Sequence, residues 1–522
     1  MSTDKSIFSQ TGRTILKSTS IVSLGILLSR ILGFLRDVVI ARLFGVYLYA
    51  QAFVIAFRIP NLFRDFVGEG ATNAVFVPVF SEYTIKHRKE EFWELANVIL
   101  NLLLVILAGI TLLGIIFSPL LVRLIAPGFS ADPQKLATTI ALNRLIFPYI
   151  LLISLAAYAM AILNSLQHFA VPAFAPCLLN ISIIFFALLF GEGIKGLASG
   201  VLIGGVLQLA VQIPVLYKKG FRWKFTPRFD HPAARTIGKL MLPRVFSSCI
   251  YQLNNFIDSI FGSLAWIVGE GGVAILYFAY RLILFPLGIF ATALAQTILP
   301  TFSVQALEDN HEKLKATLSF GLRSVFFVML PSSVGFMVLS YPIIFTLFAG
   351  KKFDLYATKM TAQVLFYYSI GLSSYGAIKI LQSCFFSLKD TVTPTKVAAL
   401  GLVVNIILNS LLMFPLKIGG LALATSISGI NTCLILFFIL KKRLHPFNAQ
   451  EIFASFLRIL LASLAMGLVC YFLSQQKIIL FNKYLGLGLL IVTGLFSYLI
   501  FCLIFRVSEL RDLLCWMMQK RK

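Results

Sequence analysis

Arg30, Arg36 and Asp37 stand inside the first long apolar stretch of the chain, and Arg58, Arg64, Asp65 and Glu69 stand in the second. The spacing Arg-x5-Arg-Asp occurs in both. A guanidinium is planar, permanently charged and able to grip a phosphate with two parallel N–H bonds, so this set suits a pyrophosphate or another polyanion. Its surroundings sharpen the point. A charged side chain inside hydrocarbon costs roughly 2.5–3.5 kcal/mol on insertion scales and normally faces a bundle interior or a water-filled path. Further along, Asp258 and Arg281 lie in two more apolar stretches. The arginines at 30, 36, 58, 64 and 281 outnumber the nearby acids, which predicts an interior of net positive charge. A plainer account has them snorkel to headgroups or pair with Asp37, Asp65 and Glu69. It is strongest for Arg42 and Arg64, near helix ends. Asp258 reads equally as a salt-bridge partner or a coupling-ion ligand, and Asp37 and Glu69 are open to the same two readings. On a helical wheel Arg30 and Asp37 share nearly one face, with Arg36 about 120° round.

The elements that must position these charges follow from composition. The chain has 522 residues, of which 59% are hydrophobic and only 13% charged, with a mean hydropathy of +0.90. A soluble domain carries about 25% charged residues. Uncharged windows recur at 98–122, 169–191, 196–217, 282–307, 324–350, 397–416, 418–440 and 484–505. Each can cross a hydrocarbon core of about 30 Å as a helix, whereas a barrel would show segments of about ten alternating residues. The fold class predicted is an all-α polytopic membrane protein. Its fourteen spans fall near 21–46, 48–80 (broken at Pro60-Asn61), 93–117, 139–166, 171–190, 193–217, 236–264, 273–302, 319–349, 360–387, 394–416, 419–440, 452–474 and 484–506.

The formal charge of +24 would suggest nucleic acid in a soluble protein. Here the basic residues crowd alternate loops: Lys86, Arg88 and Lys89, then Lys218, Lys219, Arg222, Lys224, Arg228 and Arg235, then Lys441, Lys442 and Arg443, and last Lys520, Arg521 and Lys522. That is the pattern of loops held in the cytoplasm beside anionic lipid. It predicts no nucleic-acid partner and places both termini in the cytoplasm. Arg30 and Arg36 interrupt the first apolar stretch, so it reads as a retained helix rather than a cleaved signal.

The two halves echo each other at a constant offset of 222 residues, as from Thr14 to Thr236, from Pro78 to Pro300 and from Pro172 to Pro394. The run Phe76-Val77-Pro78-Val79-Phe80-Ser81 returns as Ile298-Leu299-Pro300-Thr301-Phe302-Ser303, and, at an offset of 224, a small indel away, Gly196-Leu197-Ala198 returns as Gly420-Leu421-Ala422. Six helices fit one repeat, so the repeats should be parallel, with a site between them. The organisation predicted is a lobe over 1–217, a basic cytoplasmic linker over 218–235, a second lobe over 236–440, and a final helix pair with a basic tail over 441–522.

Other chemistry is poorly represented. Seven cysteines lie mostly in apolar segments with neither a C-x-x-C pair nor a zinc spacing, so they read as small buried hydrophobes and no metal site is predicted. The histidines are dispersed. No paired carboxylates and no nucleophile–histidine arrangement suggest covalent catalysis, which predicts a transporter and not an enzyme, with no cofactor. Gly-x-x-x-Gly patterns such as Gly196 with Gly200 fit close helix packing.

Several motifs resemble the MurJ (MviN) lipid II flippase family of the multidrug/oligosaccharidyl-lipid/polysaccharide exporter superfamily. They are Ser29-Arg30-Ile31-Leu32-Gly33-Phe34-Leu35-Arg36-Asp37, Ala41-Arg42-Leu43-Phe44-Gly45, Arg58-Ile59-Pro60-Asn61-Leu62-Phe63-Arg64, Gly68-Glu69-Gly70-Ala71 leading to Phe76-Val77-Pro78, Arg281-Leu282 with Phe285-Pro286-Leu287-Gly288, and Ser387-Leu388-Lys389-Asp390-Thr391 with Thr393-Pro394. The resemblance implies fourteen helices, two six-helix lobes around a central cavity, and a final pair forming a groove for a long lipid tail. It implies movement of undecaprenyl-pyrophosphoryl disaccharide-pentapeptide from the inner to the outer leaflet of the bacterial cytoplasmic membrane, by alternating access. Arg30, Arg36, Arg64 and Arg281 match cavity arginines of the family, and Arg58 matches a basic position often held by lysine. The implied partners are lipid II, membrane lipids and the peptidoglycan-synthesis machinery. Gln51 and Tyr280 depart from positions that are commonly acidic in the family, leaving Asp37, Glu69 and Asp258 for charge pairing or ion coupling. Membrane potential, sodium and protons stay open as the energy source, and the oligomeric state is not specified by the residues. Export of another polyisoprenyl-linked glycan is the nearest rival function, and a non-transport membrane scaffold a distant one.

Overall fold

In hydrocarbon, backbone N–H and C=O groups must be satisfied within the segment, so long apolar runs become helices. The computed structural model describes residues 2–64, 75–191, 193–225, 232, 237–239, 252–308, 311–444, 449–476 and 482–511, with side chains described for all of these except 2–19, 62–64, 194 and 311. Among the described residues every regular element is helical. Packing divides the chain into two compact units, Met1–Ser263 and Leu264–Lys522.

The first unit holds α1 (Ser2–Phe44), α2 (Leu48–Arg64), α3 (Val77–Lys86), α4 (Lys89–Ile116), α5 (Ser118–Ile125), α6 (Pro133–Ile146), α7 (Tyr149–Ser165), α8 (Ala170–Phe190), α9 (Ile194–Ala210), α10 (Ile213–Lys219) and the helical residues 252–262, here α11. Small residues set its closest contacts. Gly25, Ser29 and Gly33 fall at four-residue spacing on α1, and a Cβ on Gly25 would stand 2.7 Å from the Ala173 carbonyl oxygen of α8. The expected packing at Gly200 is present too, where a Cβ would lie 2.7 Å from the Cα of Ile183. Such seams let helices associate where lipid offers no hydrophobic drive.

The second unit holds α12 (Ala265–Val268), α13 (Gly272–Pro286), a π-helical turn (Leu287–Ala291), α14 (Thr292–Leu307), α15 (His311–Val338), α16 (Ser340–Phe348), α17 (Leu355–Ile370), α18 (Leu372–Ser387), α19 (Val392–Leu416), α20 (Ile418–Arg443), α21 (Ala449–Gln475) and α22 (Lys483–Ile504). The last pair docks on α15. A Cβ on Gly467 would stand 2.6 Å from a Val334 methyl, and Tyr498 donates to the Phe327 carbonyl at 2.7 Å. Glu509, just past α22, accepts hydrogen bonds from Arg323 of α15 and Ser455 of α21. Burial alone would raise its carboxyl; the Ser455 and Arg323 hydrogen bonds outweigh it and leave the group below its ordinary value.

Among the described residues ten helical spans are long and apolar enough to cross a membrane, or eleven if α17 and α18, bent by 42° at Gly371, form one. These account for eleven of the fourteen predicted spans. The remaining three are 21–46 within α1, the broken 48–80, and 236–264, much of which lies outside the described residues. Pro60 does not end α2, which continues to Arg64.

The repeat has a geometric counterpart in each unit. Two residues past the end of α7 stands Gln167 at φ 56°, and two residues past the end of α18 stands Lys389 at φ 58°. The amide of His168 donates to the Leu163 carbonyl at 2.8 Å, and that of Asp390 to the Phe385 carbonyl at 2.9 Å. Ser165 and Ser387 bond back to the carbonyls of Ile162 and Cys384, each at 2.7 Å. All these pairs keep the 222-residue offset. The next helices, α8 and α19, end on Gly191 (φ 59°, ψ −129°) and Lys417 (φ 51°, ψ −132°). After the second turn, Asp390 caps α19 by accepting from the amides of Val392 and Thr393, and Arg443 donates to it at 2.8 Å. The Thr393 amide and hydroxyl, with Arg443, pull the Asp390 carboxyl down to about 2.

The boundary between compact units falls at Ser263, at the end of the predicted seventh span, whereas the boundary expected from the repeat lies near 218–235. α11 joins the first unit because its polar atoms are used there. Arg58 of α2 donates to the Asn255 carbonyl and the Ser259 hydroxyl, and the Gly128 amide donates to the Ser263 hydroxyl at 3.0 Å.

Candidate functional site

The long α1 carries its charges through two environments. Arg30 is exposed and carries no ion pair or hydrogen bond with the described residues. Six residues on, Arg36 is 4% exposed and Asp37 fully buried. The Arg36 guanidinium donates to one Asp37 carboxylate oxygen through Nε at 3.0 Å and a terminal nitrogen at 2.7 Å. Its other terminal nitrogen donates to the Asn180 side-chain oxygen at 3.2 Å, and the ring of Phe57 lies 5.7 Å from the guanidinium carbon. Arg30 and Asp37 therefore share a wheel position without sharing surroundings.

Asn180 was not among the residues singled out from sequence. It is 6% exposed on α8 and bonds α1 at two places, through Arg36 and through the Ser29 carbonyl at 3.2 Å. It also donates to the Pro176 carbonyl at 3.4 Å. Its available signal was a lone carboxamide in an uncharged apolar window, where a polar group needs a partner. Phe57 carried no signal beyond its place one residue before Arg58.

Arg58 is half-buried and held by α11 through Asn255 and Ser259, one residue from the half-buried Asp258. Arg42 is half-buried. Gln51, seven residues before Arg58 on α2, is 2% exposed, and its carboxamide nitrogen has no hydrogen-bond partner among the described residues. The Arg64 side chain and Glu69 lie outside the described residues. In the second unit, Arg281 of α13 donates to the Tyr277 hydroxyl at 2.9 Å and lies 5.0 Å from that ring's centroid. Tyr277 precedes Arg281 by four residues, so the pair was open to recognition as helical neighbours. Tyr280 packs edge-on to Tyr368 at 5.4 Å.

Within the first unit the structure brings Arg36, Asp37 and Asn180 together, and separately ties Arg58 to the helix bearing Asp258. The first group cancels charge internally. Arg30 has no carboxylate bond with the described residues, so its charge remains available to an anion. Among the described residues no group of histidine, cysteine, aspartate or glutamate could hold a metal ion.

A bundle of long apolar helices in two compact units defines an all-α, multi-spanning membrane protein. Residues 40–493 match the family model described as lipid II flippase MurJ. A probable lipid II flippase MurJ from Buchnera aphidicola subsp. Acyrthosiphon pisum is 36% identical over 462 residues, covering 88% of this chain and 90% of that protein. The lipid II flippase MurJ of Burkholderia cenocepacia is 34% identical over 425 residues, covering 80% and 82%. A solved structure of lipid II flippase MurJ in an inward closed conformation superposes with a TM-score of 0.80 at 30% identity, covering 94% of this chain and 99% of that one. An inward-facing MATE transporter of the MOP superfamily shares the fold alone, with a TM-score of 0.68 at 18% identity. The chain belongs to the MurJ lipid II flippase family.

Proposed function

We propose that this protein flips lipid II, the polyisoprenyl-linked precursor of peptidoglycan, across the bacterial inner membrane as a transporter and not as an enzyme. The observation that carries this reading is the match to the flippase family along most of the chain, joined to arginines carried by α1, α2 and α13. A pyrophosphate crossing hydrocarbon unaided would bear the full desolvation cost of its charge. Arginines within the spans replace its water with charge-assisted hydrogen bonds, while the lipid tail stays in lipid. Movement from inner to outer leaflet then requires alternating exposure of the arginines and no covalent step.

Arg30, Arg58 and Arg281 are assigned to the pyrophosphate, with Arg64 joining them by its family match. Arg36 is assigned to hold α1 against α8 through Asp37 and Asn180. Asp258 and Glu69 are assigned to charge pairing or ion coupling, as expected of them. The repeat lobes are taken as 1–217 and 236–440, with the final pair serving the lipid tail. Both termini and the 218–235 linker are assigned to the cytoplasm on the strength of their basic residues.

Expression in a bacterium depleted of its own lipid II flippase tests the function. Restored growth with lipid II reaching the outer leaflet is the expected result. Membrane insertion at normal levels without either would overturn the proposal.

A further inference from the structure

We infer that residues 218–225 form a built site for anionic phospholipid headgroups, strapped to the N-terminal half of α4 by two buried asparagines. Asn97 and Asn101 lie one turn apart and are 4% and 1% exposed. Asn97 donates to the Arg222 carbonyl at 3.0 Å and accepts from the Lys224 amide at 2.8 Å. Asn101 donates to the Lys224 carbonyl at 3.0 Å and accepts from the Trp223 indole nitrogen at 3.2 Å. Three of these bonds engage backbone atoms of the strap, as a neighbouring β-strand would, so they fix its path.

The approach to the strap is fixed as well. Gly220, at φ 108°, turns the chain after α10, and the next residue, Phe221, is 7% exposed against Trp93 and Tyr217. The Arg222 guanidinium donates to the carbonyls of Tyr217 and Phe221 and lies 5.2 Å from the Tyr217 ring centroid. That cation is held in place before any ligand arrives.

What the strap displays is chemically specific. Lys218, Lys219, Arg222 and Lys224 are all exposed, and no acidic residue occurs from 193 to 229. Between and beside these cations, Trp223 and Phe225 are 57% and 70% exposed. In water such aromatic exposure would be costly; at a membrane interface it is favourable, because rings settle at headgroup depth while cations meet phosphates. The depth agrees. α4 has 28 residues, and the roughly twenty that cross hydrocarbon, counted back from Ile116, end near Asn97. The strap therefore runs along the boundary between acyl chains and headgroups. Its ligand is a phospholipid phosphate with further negative charge. Placing that lipid in the inner leaflet rests on the cytoplasmic assignment of the linker; binding itself does not.

The test uses the full chain in nanodiscs of mixed phosphatidylglycerol and phosphatidylcholine with matched acyl chains, and counts retained lipids by native mass spectrometry. Wild type should retain phosphatidylglycerol preferentially. Arg222→Gln with Lys224→Gln should reduce that preference about tenfold or more, given that each surface cation contributes about fivefold. Asn97→Ala with Asn101→Ala changes no charge, yet should also lower it several-fold by releasing the strap. An unaffected preference in the charge variant, or a full preference in a folded asparagine variant, would overturn the site. If the asparagine variant does not fold, quenching of Trp223 by brominated phosphatidylglycerol, read as the difference between wild type and Trp223→Phe, decides instead: no excess over brominated phosphatidylcholine overturns it. Loss of bound phosphatidylglycerol to equimolar undecaprenyl pyrophosphate would contradict a phospholipid site. Outside labelling of Lys224 would overturn the topology while leaving the lipid preference standing.

Discussion

Two arginines six residues apart on α1 stand in different surroundings. Arg36 is buried with Asp37 and Asn180, and Arg30 is exposed. Arg36→Ala would take from a buried carboxylate the guanidinium that bonds it twice, and breaking a buried ion pair costs about 3–5 kcal/mol. Reduced folded yield and a lower thermal midpoint are expected, with recovery when Asp37→Asn removes the stranded charge. Arg30→Ala should keep the wild-type midpoint while reducing transport at least tenfold, as loss of one charge-assisted contact to pyrophosphate commonly does. Thermal unfolding of the purified variants, beside transport, separates the two roles; an Arg36→Ala protein as stable as wild type would contradict the assignment. The sequence showed both arginines and marked them as chemically exceptional. It did not show their separation, because a wheel gives the direction of Cβ, while a guanidinium several bonds further out can fold back onto the next residue's carboxylate. Asn180 was hidden for a related reason: its role depends on α1 meeting α8, which no local spacing encodes.

At the scale of elements, helix type and most spans were legible from uncharged runs alone. The breaks were less so. Phe147-Pro148 divides α6 from α7 and Gly371 divides α17 from α18, inside windows that composition reads as continuous. The repeat was legible at Pro78 and Pro300, and its turns extend it to atoms that sequence leaves silent, since Gln167 and Lys389 share a φ but no chemistry. The comparison also exposes strain. Gly191 and Lys417 end equivalent helices with nearly the same backbone angles, yet only glycine adopts that region without a steric penalty of about 1–3 kcal/mol. Lys417→Gly should therefore raise stability by about 1 kcal/mol, offset in part by the freer unfolded chain. An increased midpoint of thermal unfolding is expected, and a decrease would show that the lysine side chain contributes more than its backbone costs.

Across the whole molecule, the basic loops and the even number of predicted spans lead us to propose that both ends lie on the same side of the membrane. Six cations between 218 and 235 resist translocation. Single cysteines at Lys224 and Lys520, in a background without the seven native cysteines, should be protected from an impermeant thiol reagent in intact cells, and one at Lys352 should react. The reverse pattern would invert the orientation and require a miscounted span. The central claim is that these spans carry lipid II from one leaflet to the other. Its most direct measurement is the appearance of lipid II on the far leaflet of proteoliposomes containing the purified protein, read by an impermeant reagent that modifies only the exposed headgroup, under imposed potential, sodium and proton gradients in turn. At least one gradient should drive accumulation beyond protein-free vesicles, and Arg30→Ala should abolish it. Equal accumulation with and without folded protein under every gradient would contradict the account.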